Sequence, residues 1–290
     1  MTLPVELVRT CVRQALAEDL GDGADVTSLI SVPEGLSADG VILARENGVL
    51  AGLALAEQCF LQLDPGASFS GECIDGARLR GGDLIARVSG EARAILAAER
   101  TALNFLQHLS GVATLTRRFV AELEGLGVRI FDTRKTTPLL RAFEKHAVGV
   151  GGGHNHRAGL FDQILLKENH FALAGRPYRQ VVEAAVAAAT TPVVAEAQTL
   201  SEGLAAVAGG AGVVLLDNFA PGDELSSVVA SIREQADELG QEIEIEVSGR
   251  VTLSTVRAFA ESGVDRISVG ALTHSAGSLD ISMTTELSRD

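Results

Sequence analysis

The sequence predicts an α/β fold in which a parallel α/β barrel follows a small antiparallel α+β unit. After about residue 112, strand-like and helical segments alternate roughly every 20 to 35 residues, the rhythm of a parallel sheet or barrel. Each of the strand-like runs there ends in polar or charged residues. Residues 41–88, by contrast, hold short strand-like runs broken by turns such as Asn47-Gly48 and Gly81-Gly82-Asp83.

In chain order, residues 4–20 predict a helix, because Val5, Val8, Val12, Ala15 and Leu16 recur at helical spacing. Asp25-Val26-Thr27-Ser28 falls in a glycine-rich loop. Val41–Ala44 and Val49–Leu53 flank Asn47-Gly48 and read as a hairpin. Leu84–Val88 is a further strand. From Glu91 to about Glu124 the pattern is helical, with Gly111 as a break between two helices. Arg100 interrupts the apolar stripe of Leu96 and Leu103. It reads either as an arginine reaching out from a helix edge or as one aimed at a buried anion or across a subunit interface.

The candidate barrel strands are Val128–Phe131, Ile164–Leu166, Pro192–Glu196, Val213–Leu216, Ile243–Val247 and Asp265–Val269. Helical segments between them include Arg179–Ala189, Ser201–Val207, Pro221–Leu239 and Leu253–Ser262. At the strand ends stand Arg134 and Lys135, Lys167, Glu196, Asp217 with Asn218, Glu246 with Ser248, and Ser268 with Gly270. A barrel gathers the carboxyl ends of all its strands on one face, whereas an open sheet gathers only those at its switch point. A barrel therefore accounts for more of these residues.

Composition narrows the chemistry. A net charge of -14, aromatics at 4% and no Trp speak against a nucleic-acid partner. Cys11, Cys59 and Cys73 form no paired motif, which fits a reducing, cytoplasmic setting, and no apolar run is long enough for a membrane span. Against that acidic background, the segment from Phe131 to His170 concentrates Arg134, Lys135, His156, Arg157 and Lys167. They converge if the flanking strands are parallel neighbours with a helix between them, and such a cluster calls for anions. Glu196 and Asp217 form an acidic side, suited to a magnesium ion bridging to a phosphorylated substrate or to a positive centre developing on a sugar. The Ser248-Gly249 and Gly270-Ala271 turns, at the ends of the last strands, suit a phosphate. Lys167 also admits a Schiff-base reading, as in a barrel aldolase. His154 and His156 could form a metal pair, but flanking glycines and Arg157 disfavour a cation there.

At these residues the chain closely resembles the nicotinate-nucleotide pyrophosphorylases, the decarboxylating quinolinate phosphoribosyltransferases. The matching blocks are Asp25-Val26-Thr27-Ser28, AERTALNFLQHLSGVAT from Ala98, DTRKTTP from Asp132, GGGHNHR from Gly151, LLKENH from Leu165, LLDN from Leu215, and SVGALTHS from Ser268 with Leu279-Asp280-Ile281. The resemblance implies an incomplete, TIM-like parallel barrel of about six strands with an N-terminal α+β sandwich domain. The expected domains are 1–111 for the sandwich with its long helix, 112–275 for the catalytic barrel, and 276–290 for a segment returning to the first domain. It implies transfer of the phosphoribosyl group of phosphoribosyl pyrophosphate to quinolinate with decarboxylation, giving nicotinate mononucleotide, pyrophosphate and carbon dioxide in NAD biosynthesis, with Mg2+ as cofactor.

By motif, Thr133, Arg134, Lys135, His156, Arg157 and Lys167 would line the quinolinate and pyrophosphate pocket. Lys135, Lys167, Glu196 and Asp217 would carry the catalysis. Glu196 and Asp217 would face the ribose and the magnesium, directly or through water or pyrophosphate. Ser248, Gly249, Arg250 and Gly270 would hold the ribose phosphate, and Arg100 would arrive from the partner of a homodimer or higher oligomer. The chain departs from the family's pattern at Leu139, usually glycine; at Gly149, usually basic; at Val194 and Gln198, usually acids; and at Arg250, usually glycine or asparagine. A molybdenum-associated paralogue shares the fold, and the full GGGHNHR and KENH blocks favour the quinolinate enzymes over it.

Overall fold

The computed structural model describes residues 3–288. In chain order the elements begin with α1 (Val5–Leu20), α2 (Val26–Ser31), β1 (Ser37–Ala44), β2 (Gly48–Val49), α3 (Leu53–Leu63), β3 (Ser68–Gly71), β4 (Arg78–Leu79), β5 (Leu84–Glu91) and α4 (Ala92–Glu122). They continue with β6 (Arg129–Phe131), α5 (Arg141–Val150), β7 (Leu165–Leu166), α6 (Glu168–Leu173), α7 (Tyr178–Ala188), β8 (Val194–Ala197), α8 (Leu200–Ala208) and β9 (Val213–Asp217). Last come α9 (Asp223–Glu238), β10 (Glu244–Ser248), α10 (Val256–Glu261), β11 (Arg266–Ser268), α11 (Ala271–His274) and β12 (Ile281–Leu287). Two compact units result, one holding residues 1–117, 142–152 and 276–290, the other 118–141 and 153–275. Among the described residues no helix is long and apolar enough to cross a membrane.

The first unit is built on an antiparallel sheet in the order β12-β1-β5-β3. On β1 every second residue from Ala38 to Ala44 is buried, so one face turns to the core. Helix α1 buries Val8, Val12 and Leu16, a stripe at four-residue spacing.

Three sequence expectations change here. The 41–53 hairpin does not form. Both edges of β1 are occupied, by β5 and β12, and β2 pairs instead with β4. The Val49 amide donates to Thr114 Oγ1 at 2.9 Å and the Ala51 amide to Ser110 Oγ at 3.0 Å, so α4 claims this segment. Gly111 does not break α4, which runs through it as one 31-residue helix. The glycine is there for closeness: a Cβ at Gly111 would lie 2.0 Å from the Gly277 carbonyl oxygen. Asp25 is no loop residue but the N-cap of α2, its carboxylate accepting from the Thr27 amide at 3.0 Å and the Ser28 amide at 3.1 Å.

The second unit is the parallel barrel, with strand order β6-β11-β10-β9-β8-β7. Strands neighbouring in sequence pair from β7 to β11, and β11 pairs back to β6. Among the described residues, no strand pairing closes the ring between β6 and β7. These two were expected to be neighbours, and they stand instead at opposite edges of the sheet. Their cationic ends come together because the sheet curls round, not because the strands touch. A parallel bridge between Phe131 and His154 lies along the open edge of β6. Burial on both faces of β8 and β9 explains their apolar runs.

The barrel interior is divided. Leu165, Val194, Val213 and Leu215 pack one side. On the other, Glu244 bridges Arg129 and Arg266, and both guanidinium groups lie over the Phe131 ring, at 5.6 and 5.0 Å from its centroid.

Candidate active site

The carboxyl ends of the barrel strands enclose a cavity of about 560 Å³ lined by Thr133, Arg134, Lys135, His156, Arg157, Lys167, Asp217, Ser248, Gly249 and Arg250, together with Asn218, Glu246 and Ser268. A smaller adjoining hollow adds Gly270 and His274 beside Lys135, Ser248 and Arg250. Of the residues singled out in the sequence, Glu196 lies just behind the lining, bound to Lys167. Arg100 sits exposed on α4 in the first unit.

The cationic side rests on a buried carboxylate. Asp132 follows β6, is wholly buried, and accepts from Asn155 Nδ2 at 2.7 Å and the His156 amide at 2.8 Å. This fixes the glycine-rich loop against the strand and brings His156 and Arg157 to the mouth. Arg157 Nη1 donates to the Gln163 carbonyl at 3.3 Å. Burial and the neighbouring Arg134 charge lower the Arg157 pKa below its ordinary value. Arg134 Nε is buried without a hydrogen-bond partner among the described residues. Repulsion between two guanidinium groups and an unused donor are features that a bound anion relieves. His154 and His156 serve separate purposes: His154 stacks on Phe131 at 5.3 Å, while His156 Nδ1 accepts the Arg157 amide at 2.8 Å.

The acidic side is positioned by strand register. Glu196 and Asp217 project from β8 and β9, which pair in parallel. Glu196 accepts from Lys167 Nζ at 2.7 Å and from the Glu168 amide at 3.2 Å, so the lysine read as a Schiff-base candidate is held in an ion pair. Asp217 Oδ2 accepts from Asn218 Nδ2 at 2.8 Å. Burial first, then the Glu196 charge, raises the Asp217 pKa, with Lys167 and Lys135 pulling the other way. A divalent cation fits that environment, since carboxylate oxygens are the hard donors magnesium prefers and its charge would relieve the crowding of acids. No group of three or more His, Cys, Asp or Glu residues able to hold a metal occurs among the described residues. A magnesium ion held here would thus depend on water and substrate phosphate for most of its ligands.

The Ser248-Gly249 turn follows β10 and the Gly270-Ala271 turn follows β11. Gly249 has φ +103°, and its N-terminal neighbour Ser248 ends β10. Arg250 is exposed at the rim, open to an anion. Of the residues that depart from the family pattern, Val194 belongs to the apolar side of the barrel interior. Gln198 donates to Glu168 Oε2 at 2.7 Å. Leu139 takes the left-handed backbone (φ 67°) that glycine would adopt freely.

Sequence reasoning gave no site role to Glu246 or Asn218. Glu246 is completely buried yet lines the cavity. The signal for it was the strand alternation that puts Glu246 and Ser248 on the same face.

Two family models match, "Quinolinate phosphoribosyl transferase, N-terminal domain" over residues 25–110 and "Quinolinate phosphoribosyl transferase, C-terminal domain" over residues 112–284. A nicotinate-nucleotide pyrophosphorylase (carboxylating) of Mycobacterium leprae (strain TN) is 39% identical over 283 residues, covering 96% of this chain and 97% of the relative. A quinolinate phosphoribosyltransferase (decarboxylating) 1b of Nicotiana tabacum is 36% identical, covering 97% and 83%. Among solved structures, NadC from Streptococcus pyogenes superposes with a TM-score of 0.90 at 36% identity over 100% of both chains. The nicotinate-nucleotide pyrophosphorylase from Francisella tularensis does so with 0.89 at 35% over 98% of each.

Proposed function

The chain belongs to the quinolinate phosphoribosyltransferase family, and on that premise we propose how its barrel mouth performs the decarboxylating transfer. Quinolinate and phosphoribosyl pyrophosphate combine to give nicotinate mononucleotide, pyrophosphate and carbon dioxide for NAD biosynthesis. The observation that carries the reading of the site is the single cavity in which Arg134, Lys135, Arg157 and Lys167 face Asp217.

Arg134, Arg157 and the two lysines bind the carboxylates of quinolinate and the pyrophosphate, and so aim the ring nitrogen at the anomeric carbon. Glu196 and Asp217 stabilise the positive charge that grows on the ribose as pyrophosphate leaves. Once the nitrogen is quaternary, the carboxylate beside it leaves as carbon dioxide, and the carbon takes up a proton. Ser248, Gly249, Arg250 and Gly270 hold the ribose phosphate. Asp217 and Glu196 are the residues that would hold magnesium, which when bound neutralises charge on the pyrophosphate. Three free cysteines support a cytoplasmic enzyme. The exposed Arg100 supports a homodimer in which it completes the partner's site.

Carbon dioxide release from quinolinate should depend strictly on phosphoribosyl pyrophosphate; release without it would refute the reading. Arg134→Ala should raise the KM for quinolinate on the order of 10- to 100-fold, the loss of one charge-assisted contact. Wild-type KM in that variant would remove Arg134 from the clamp.

A further inference from the structure

Glu246 is the buried acid of the mouth to which the reaction gives no task. It projects inward from β10, with Oε1 accepting the Ser268 hydroxyl and lying 3.5 Å from His156 Nε2. Its Oε2 is buried with no hydrogen-bond partner among the described residues, and Arg266 Nη1 lies 3.9 Å from it. A buried carboxylate is costly unless it is compensated, so its presence in the floor of an anion-binding cavity calls for a purpose. The opposite edge of the imidazole supplies one. The Arg157 amide donates to His156 Nδ1 at 2.8 Å. A ring nitrogen that accepts this bond carries no hydrogen, so the ring hydrogen sits on Nε2, the atom that faces Glu246.

We propose that Glu246 is a positioning residue that, braced by Ser268, holds the Nε2–H tautomer of His156 and so sets the ring and the Arg157 backbone at the quinolinate end of the mouth. It acts as the outer-sphere carboxylates of other histidine sites do, fixing orientation and tautomer through one ring nitrogen while the other is used elsewhere. His156 then contributes a dipole, and the positive side consists of Arg134, Lys135, Arg157 and Lys167. The effect on binding rests on the placement of His156 against quinolinate proposed above; the effect on the tautomer does not.

The test uses the full-length protein with 15N-labelled histidine. The wild-type His156 ring should show the Nε2–H form. Glu246→Ala should lose that preference and raise the KM for quinolinate about tenfold, with the KM for phosphoribosyl pyrophosphate changed less than about twofold. Glu246→Gln, which keeps an acceptor oxygen, should restore the tautomer and most of the affinity. Ser268→Ala removes only a hydroxyl, guards against a folding defect in the larger change, and should loosen the tautomer in the same direction. Hydrogen on Nδ1 in the wild type, or a ring signature unmoved in both Glu246→Ala and Ser268→Ala, overturns the proposal. If the ring responds but neither Glu246→Ala nor His156→Ala changes the quinolinate KM, the hold on the tautomer stands and the placement of His156 against quinolinate falls.

Discussion

Asn218 holds a left-handed backbone (φ 64°) at the point where β9 turns into the mouth, and its side-chain amide bonds the adjoining Asp217 carboxylate. Strain of this kind survives where the surroundings over-determine it, here through the Asn218 amide to the Ser248 carbonyl at 3.3 Å. Asn218→Gly keeps the backbone and deletes the amide. It should leave the thermal midpoint nearly unchanged while kcat falls about tenfold; a loss of stability with unaltered kcat would assign the residue to the fold alone. Asp217 itself has a pKa raised from the ordinary 3.8 by burial and then by Glu196. The protonated form is thus favoured in the folded chain. Its contribution to stability is full at pH below 3.8 and is lost as pH rises through the raised value. In Glu196→Gln, carbon-13 NMR should find Asp217 titrating at lower pH than in the wild type, and an unmoved titration would mean the two acids do not interact. Residue types at the mouth were legible in the sequence because charge at a strand end is conspicuous. The roles of Glu246 and Asn218 were not, because they depend on which neighbours the register supplies.

Among the elements, α4 gives the clearest case of tertiary contact overriding local preference. Alanine is a better helix former than glycine by about 1 kcal/mol, so propensity alone predicts that Gly111→Ala stabilises the chain. The Gly277 carbonyl 2.0 Å from the added carbon predicts the reverse. Thermal denaturation of Gly111→Ala should show a lower midpoint, by an overpacking cost of about 1–3 kcal/mol; a raised midpoint would mean that the 277 segment moves aside freely. The same contact explains why glycine within α4 reads as a break from sequence. The partner that requires it lies more than 160 residues further along the chain. The hairpin failed for a related reason: Asn47-Gly48 is a sound turn signal, but competing partners for β1 arrive from β5 and from β12.

At the scale of the molecule, the parallel barrel was legible because its strands, buried on both faces, stand out as apolar runs between helices. Which strand closes on which was not, since β11 meets β6 from the far end of the barrel sequence. The chain carries a net charge of -14 yet brings Arg134, Lys135, Arg157 and Lys167 to one cavity, so binding there should act on the stability of the whole fold. Quinolinate at about 100 times its Kd should stabilise the protein by about 2.7 kcal/mol, read as a higher thermal midpoint. In Arg134→Ala at the same concentration the gain should fall to about 0.4–1.4 kcal/mol, as a 10- to 100-fold weaker affinity requires. An equal rise in both proteins would place the diacid elsewhere.

The bridge along the open edge of β6 has one more outcome. Two backbone hydrogen bonds, His154 to Ile130 at 2.8 Å and Asp132 to His154 at 3.0 Å, make the glycine-rich segment a substitute stave in the broken ring. On the proposed reading of the mouth, the wall of the barrel and the grip on the diacid are the same stretch of chain. A lesion that lets this stave peel away would cost the enzyme its ligand and its seam in a single event.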